Sequence, residues 1–399
     1  MNSLDFSGLA YKPVQNFSGV FDGGNYSITG VAIEANTGNY TGLFGRTQNA
    51  VIKNVTVDIV ITAADNYTGG LIGYMEGGSV ANCFVIGTGG IRGGSYVGGL
   101  VGYNTGDIAN SGADVQMTTT SVNGFAGRND GTITNCYASG SIKGGTSSSS
   151  VGINSGVITD CFSDIQIQSN GSVSGFVRRN EAGGRIERSH YTGTVQNSGD
   201  NAAGFVYENY GQIIESYCAG AVTVRYYAAG FVHTNASQGV IDDCYANMQV
   251  MGGSAGGFAY TNSGTITNCT SYGETAGSGV AGFVYHNKSA VSNCIANGDV
   301  TGTSLGGFVN SNQGQISKCV ANGAVSGDSS GAFGYSNAGP ITKCAATGVV
   351  AGANISGFIV TNSATINNSY SSSVVAPTNT MYSGFVNTNS GVNAKTINC

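Results

Sequence analysis

The 399-residue chain has no tryptophan, three prolines and three histidines, and only 9 % of its residues are charged. Ordinary soluble domains carry roughly 25 % charge, and each scarcity excludes a class of function. With so few basic residues and a net charge of −6, there is no positive footprint for nucleic acid. No apolar run approaches the roughly 20 residues that cross a bilayer, so no membrane span is expected. The stretch Met1–Ala10 lacks the basic start and apolar core of a signal peptide. That suits a trimmed piece, a phage component or an intracellular protein. No CxxC pair, paired histidines or HExxH occurs, so neither a metal nor a cofactor is expected. Apolar residues still reach 40 %, enough to fill a core that is long and thin.

Glycine is plentiful instead, 66 residues, and it returns on a beat. Three successive segments read GGFAYTNSGTITNCTSYGETAGSGV, AGFVYHNKSAVSNCIANGDVTGTSL and GGFVNSNQGQISKCVANGAVSGDSS, each 25 residues long. One slot marks the beat at Cys244, Cys269, Cys294, Cys319 and Cys344. It extends back through Ser216, Ser189, Cys161, Cys136, Ser111, Cys83 and Val55, and forward to Ser369 and Cys399. Steps vary between 25 and 30 residues, with insertions before the next Gly-Phe. Within a repeat the Ile, Cys, Ala and Val columns alternate with polar residues, with one phase reset at the Asn before Cys. Such alternation, broken by Gly and Asn, predicts short strands and turns. A single repeat cannot close a core, whereas stacked copies bury one another's faces. The expected fold is all-β: a right-handed, single-stranded parallel β-helix, or β-solenoid, of about 14 rungs. Residues 1–40 form its lead-in strand and first turn, and residues 41–399 its repeats.

Three columns carry the structural argument. Five residues after the Gly of Gly-Phe stands Asn104, Asn129, Asn154, Asn180, Asn209, Asn235, Asn262, Asn287, Asn312, Asn337, Asn362 or Asn389. This reads as a structural ladder of amides at a sharp bend, for which Asn tolerates the left-handed conformation. The Asn235 and Asn287 sequons, lying in that ladder, should stay unmodified. The Gly-Phe column, from Leu43, Leu71, Leu100 and Phe125 to Phe176, Phe205 and onward to Phe385, supplies the main apolar filling. Ser150 interrupts it and predicts a soft rung. In-register residues on parallel neighbours lie about 4.7–4.9 Å apart, too far for good disulfide geometry. The cysteines therefore read as small buried space-fillers.

The strings GGLVGYNTGDIANS, Gly98–Ser111, and GFAGRNDGTITNCYASGSIKG, Gly124–Gly144, resemble the GLUG motif. The entry segment from Tyr11 to Gly30 is similar to the lead-in of such regions. That repeat occurs in bacterial surface proteins, including filamentous-haemagglutinin-like adhesins and the non-catalytic part of some immunoglobulin A peptidases. The resemblance implies a surface β-helix and not a protease.

No catalytic residues stand out. Polysaccharide-cleaving β-helices cluster carboxylates in an outer groove, whereas the acids here are scattered about one per rung. The adjacent Asp242 and Asp243 should diverge or sit at a bend. Two surface features could bind a ligand. After the cysteine slot comes an outward run of Phe84, Tyr137, Phe162, His190, Tyr217 and Tyr245, suited to sugar stacking or to a protein partner. Its plainer reading is cross-strand pairing that stabilises a sheet. The second is a charged, aromatic middle: Arg178, Arg179, Glu181, Arg185, Glu187, Arg188, Glu208, Glu215, Arg225, Tyr226 and Tyr227. Its plainer reading is a solvated face. The function expected is a non-enzymatic extracellular scaffold at the cell surface, adhesin-like or filament-forming, with glycans or cell-surface proteins as partners. The alternatives are a phage or injection-machine tail fibre and a polysaccharide-processing enzyme. The end at Cys399, within a rung, adds the expectation of a further domain or head-to-tail self-association.

Overall fold

The computed structural model describes residues 3–34, 38–62, 65–87, 89–119, 121–390 and 393–399, without the side chains of 379 and 380. Among them are strands and no helix, and neighbouring strands pair in parallel. The chain forms two compact units, Met1–Ser198 and Gly199–Cys399. Each is a stack of coils in the expected right-handed parallel β-helix. Counted by the strand that follows Gly-Phe, the first unit has six coils and the second eight. The lead-in contributes part of a further coil, because Val20–Ile33 lies in parallel against Val51–Ile61 and Leu4–Asp5 pairs with Ile28–Thr29.

A coil is built from short strands because its sequence offers nothing longer. In the coil that starts at Phe258, Ala259–Asn262 is the first strand and Thr265–Thr267 the second, burying Ile266. Thr270–Ser271 and Thr275–Ala281 complete the circuit. The phase reset before the cysteine slot is a left-handed residue in every coil. From Asn54 to Asn398 the column has φ between 45° and 58°. One residue in that conformation turns the chain and returns the next side chain to the interior. The column includes Asp160 and Asp243, which tolerate the conformation as Asn does, and Arg188, Glu215, Lys318 and Lys343, for which it is strained. Asp243 thus sits at a bend while Asp242 ends a strand. The ladder asparagines are absent from the left-handed set. The sequence reading placed that conformation on the wrong asparagine column; the ladder side chains are fixed by hydrogen bonding alone.

The ladder itself is as expected. In the first unit the Nδ2 of Asn104, Asn129 and Asn154 each donates to Oδ1 of the next rung's asparagine at 2.8 Å, reaching Asn180. In the second unit seven such bonds of 2.7–2.9 Å run from Asn209 to Asn389. Six members also donate to a main-chain carbonyl two residues on, as Asn104 does to Gly106 and Asn287 to Ser289. The buried turn is left with satisfied polar groups, each bond contributing about 0.5–1.5 kcal/mol net. Beside it the rings of Phe205, Phe231, Phe258, Phe283, Phe308, Phe333, Phe358 and Phe385 stack at 4.7–5.0 Å, the spacing of the strands that carry them. Burial of each ring stabilises the stack by roughly 1.5–3 kcal/mol.

Nine cysteines are buried and unpaired, while Cys399 is exposed and also unpaired. The slot does more than fill space. Its Sγ donates to the carbonyl two residues earlier, at 3.1 Å in Cys161 and 2.9 Å in Cys269. Serine does the same at Ser111 and Ser369, with 2.8 and 3.0 Å. The slot atom also accepts the backbone N–H of the preceding rung, as Ser111 does from Cys83 and Cys344 from Cys319. A small side chain with one donor and one acceptor suits the slot, so Cys and Ser interchange there, while Val55 fills it by packing alone.

At the rung of Ser150 the apolar filling gives way to Ser147, Ser148, Ser149 and Ser150, all buried. Ser148 donates to Asn123, but the hydroxyls of Ser147 and Ser149 are buried without a hydrogen-bond partner. One rung on, the fully buried Tyr191 supplies bulk, its hydroxyl donating to the Ile165 carbonyl at 3.0 Å.

Candidate functional site

With the interior given over to packing, any site must lie on the outer face. The column after the cysteine slot does point outward. In the first unit Tyr137 stacks on Phe162 at 5.6 Å, and Phe162 on His190 at 5.5 Å with 10° between planes. The Tyr137 ring leans over Gly112, which has no side chain to meet it, and reaches Phe84 at 6.2 Å. In the second unit Tyr217 and Tyr245 stack at 4.7 Å and 3°. Within each stack the facing ring surfaces cover one another, while Phe162 and Tyr245 remain 40 % and 39 % exposed. Stacked in this way, Tyr137, Phe162, Tyr217 and Tyr245 form cross-strand pairs of the kind that hold a sheet together.

The charged middle is brought together in pairs. Arg179 meets Glu181 at 3.1 Å, Arg185 meets Glu187 at 2.8 Å, and Arg188 bridges Asp160 at 2.8 Å while also contacting Glu187. Arg188 is one of the left-handed residues, and its reach to Asp160 joins consecutive members of that column. The guanidinium of Arg188 holds the Asp160 carboxyl below its ordinary range, and Arg185 does the same for Glu187. Arg178 lies beside Arg179 on the strand Val177–Asn180, half-buried. A surface whose charges already neutralise each other is a solvated face first.

Tyr226 and Tyr227 differ. Their exposure, 41 % each, matches that of Phe162 and Tyr245, but they meet at 6.0 Å with planes 39° apart instead of stacking in parallel. Tyr227 tilts against Tyr260 at 5.3 Å and 42°, and the Arg225 guanidinium sits 4.7 Å from the Tyr226 ring centre. Tyr260 also stacks on His233 at 4.9 Å, and Tyr207 covers the other side at 4.7 Å. His233 is 7 % exposed and its Nε2 has no hydrogen-bond partner. Burial pushes its pKa down to about 4, so it is neutral near pH 7.

The sequence reading missed a second aromatic cluster, in the first unit. Tyr40, Tyr67 and Tyr96 come from the strands that lead into Gly-Leu, and Tyr74 and Tyr103 from the strands that follow it. Tyr67 lies 5.4 Å from both Tyr40 and Tyr96, and Tyr74 lies 5.0 Å from Tyr103. Arg46 caps one end, 5.8 Å from the Tyr74 ring centre, and Arg128 the other, 5.6 Å from that of Tyr103. Both arginines are committed, to Glu76 at 2.5 Å and to Asp130 at 2.9 Å. Burial and the nearby Asp130 push the Tyr103 hydroxyl up to about 12. The signal was present as Gly45, Gly73 and Gly102, each just before Arg46, Tyr74 or Tyr103. At Gly73 a Cβ would fall 2.6 Å from the backbone nitrogen of Thr41, so the coil closes tightly there only without a side chain. In the second unit the sizes are exchanged: the equivalent of Gly73 is Tyr285, whose ring end lies 3.1 Å from where a Cβ on Gly279 would be.

Among the described residues no group of three or more His, Cys, Asp or Glu is placed to hold a metal ion, and no helix is long and apolar enough to cross a membrane. No curated protein and no solved structure significantly matches the chain. Residues 93–120 and 118–143 each match the GLUG motif. This stretch of the β-solenoid is a GLUG repeat region.

Proposed function

We propose that the chain is a non-enzymatic extracellular scaffold, an adhesin-like or filament-forming cell-surface β-solenoid that presents binding groups along its outer face. The observation that carries this reading is the amide ladder of the second unit, eight coils from Asn209 to Asn389 without a missing member and buried from Asn209 to Asn362. Such a ladder, beside an equally continuous Phe stack, makes a stiff support on which surface side chains hold fixed spacing. The GLUG match is compatible with it, since the motif is a structural module. Partners fitting this role are surface glycans or cell-surface proteins.

Beads coated with the chain should adhere to glycan-bearing cells more than beads coated with an unrelated β-protein, and soluble chain should compete. The same preparation should release no reducing ends from a polysaccharide panel. Steady turnover in that assay would replace the scaffold by an enzyme, and adhesion no better than the control would remove the adhesin role.

A further inference from the structure

The exposed run Arg225–Tyr226–Tyr227 is unlike every other aromatic surface described above. Elsewhere outward rings stack on the next rung or are capped by arginines already paired with carboxylates. Here the coil after carries Gly252 and Gly253, followed by Ser254 in register with Tyr227, and the coil before places Asn201 opposite Tyr227. No aromatic stands in register with either ring on those two coils; Arg225 lies over one side of Tyr226 and Tyr260 tilts against Tyr227, and both rings remain 41 % exposed. Arg225 is the only arginine between Gly199 and Cys399, and among the described residues no carboxylate pairs with it. Asp200, one coil earlier, leaves it free for an incoming anion.

The side chains are exposed but their backbone is held on both sides. Arg225 N donates to the Gly199 carbonyl at 3.4 Å and Tyr227 N to that of Asp200 at 2.8 Å. Gly253 N donates to the Arg225 carbonyl at 3.3 Å and Ser254 N to that of Tyr226 at 2.7 Å. Tyr260 buttresses Tyr227 and is itself stacked on His233. A preorganised pair of open rings beside an unpaired guanidinium loses little entropy when it binds.

We propose that Arg225, Tyr226 and Tyr227 form a binding site for an acidic saccharide, a sugar bearing a carboxylate. The rings take the C–H face of the pyranose, and the guanidinium takes the carboxylate through two parallel N–H donors. An acidic protein partner fits worse. A specific protein interface needs about 1,000 Å² or more, and the flanking positions are small or polar, namely Gly252, Gly253, Ser254 and Asn201. Nucleic acid fits worse still, since one arginine cannot follow a phosphate backbone.

The site rests on the scaffold reading, and the test separates the two. Hexamers of galacturonate, hyaluronan and sialate are titrated into the whole chain by calorimetry at low salt, with the methyl ester of hexagalacturonate as the uncharged counterpart. At least one acidic hexamer should bind, and galacturonate about tenfold or more tighter than its ester if it is the one. Arg225→Gln should erase the preference for acid over ester. Tyr226→Ala combined with Tyr227→Ala should lower affinity for both about tenfold, while Tyr245→Ala, in a closed stack, should leave affinity unchanged. Melting curves for each variant show whether it remains folded. The site is overturned if no acidic hexamer binds, if Arg225→Gln binds as the parent does, or if a single-stranded DNA hexamer binds as tightly. Bead adhesion that survives all three substitutions overturns the site and leaves the scaffold standing; loss of adhesion in the parent chain removes the scaffold role.

Discussion

The side-chain amide of Asn262 donates to Oδ1 of Asn287 at 2.9 Å, and neither side chain is reached by solvent. Asn322 makes the same kind of bond to Asn297 at 2.8 Å on the exposed face. Identical chemistry at two depths separates the value of a bond from the cost of leaving a buried group unmade.

Asn287→Ala should therefore destabilise the chain by about 1–3 kcal/mol, because Asn262 and Asn312 both lose a partner inside the turn. Asn322→Ala should stay within about 0.5 kcal/mol, since water replaces the lost bond. Urea titration followed by circular dichroism measures both, and equal effects would remove the special status of the inner ladder.

The left-handed column gives the opposite sign. Lys343 is exposed, has φ 56°, and gains nothing from its side chain that offsets the strain. Lys343→Asn should raise stability by roughly 0.5–1 kcal/mol, and Lys343→Val should lower it by about 1 kcal/mol or more. A melting temperature unchanged in both variants would mean that the coil absorbs the strain elsewhere.

His233 makes stability depend on pH. Its pKa is about 4 when folded and 6.5 as a free side chain. Above that higher value both states are neutral at this site. Between the two values the unfolded chain takes up a proton that the folded chain refuses, so stability falls as pH drops, by roughly 3 kcal/mol across the whole window. Burial lowers the pKa of His190 and His286 as well, adding to the same slope. His233→Phe should flatten it, read as a smaller difference between melting temperatures at about pH 7.5 and about pH 4.5. An unaltered difference would place the titrating group elsewhere.

The slot residues predict thiol behaviour. Burial pushes the Cys83 thiol up to about 11 and that of Cys218 well above the ordinary range. Of the ten cysteines only Cys399 is exposed, so a thiol reagent should label one site quickly in the folded chain and all ten after unfolding. Cys294→Ser should be nearly neutral, whereas Cys294→Val loses the donor to the Ser292 carbonyl and should cost about 1 kcal/mol.

Much of the interior was legible because the 25-residue beat places like residues in register, which is what a parallel stack requires. Phe258 over Phe283 and Asn262 over Asn287 follow directly from it. The beat could not say which of two asparagine columns turns the chain. Both tolerate a bend, and only the coil geometry assigns the left-handed conformation to Asn268 and withholds it from Asn262. Surface clusters were less legible still. Tyr67 and Tyr74 stand seven positions apart on different strands of one coil, and no column aligns them. Their contact depends on how sharply the coil closes over Gly73. The stacking of Tyr217 on Tyr245 was visible as a column, but its consequence for exposed ring faces required the 3° between planes.

In the second unit every ladder amide donates toward the higher-numbered rung, from Asn209 through to Asn389. The side-chain dipoles therefore point one way, and each bond polarises the next. The ladder has a head and a tail. Interrupting it at Asn287 divides one long polarised chain into two short ones, whereas removing Asn389 only trims its end. Loss at the centre should therefore exceed loss at the margin, the more so because Asn287 is buried and Asn389 exposed.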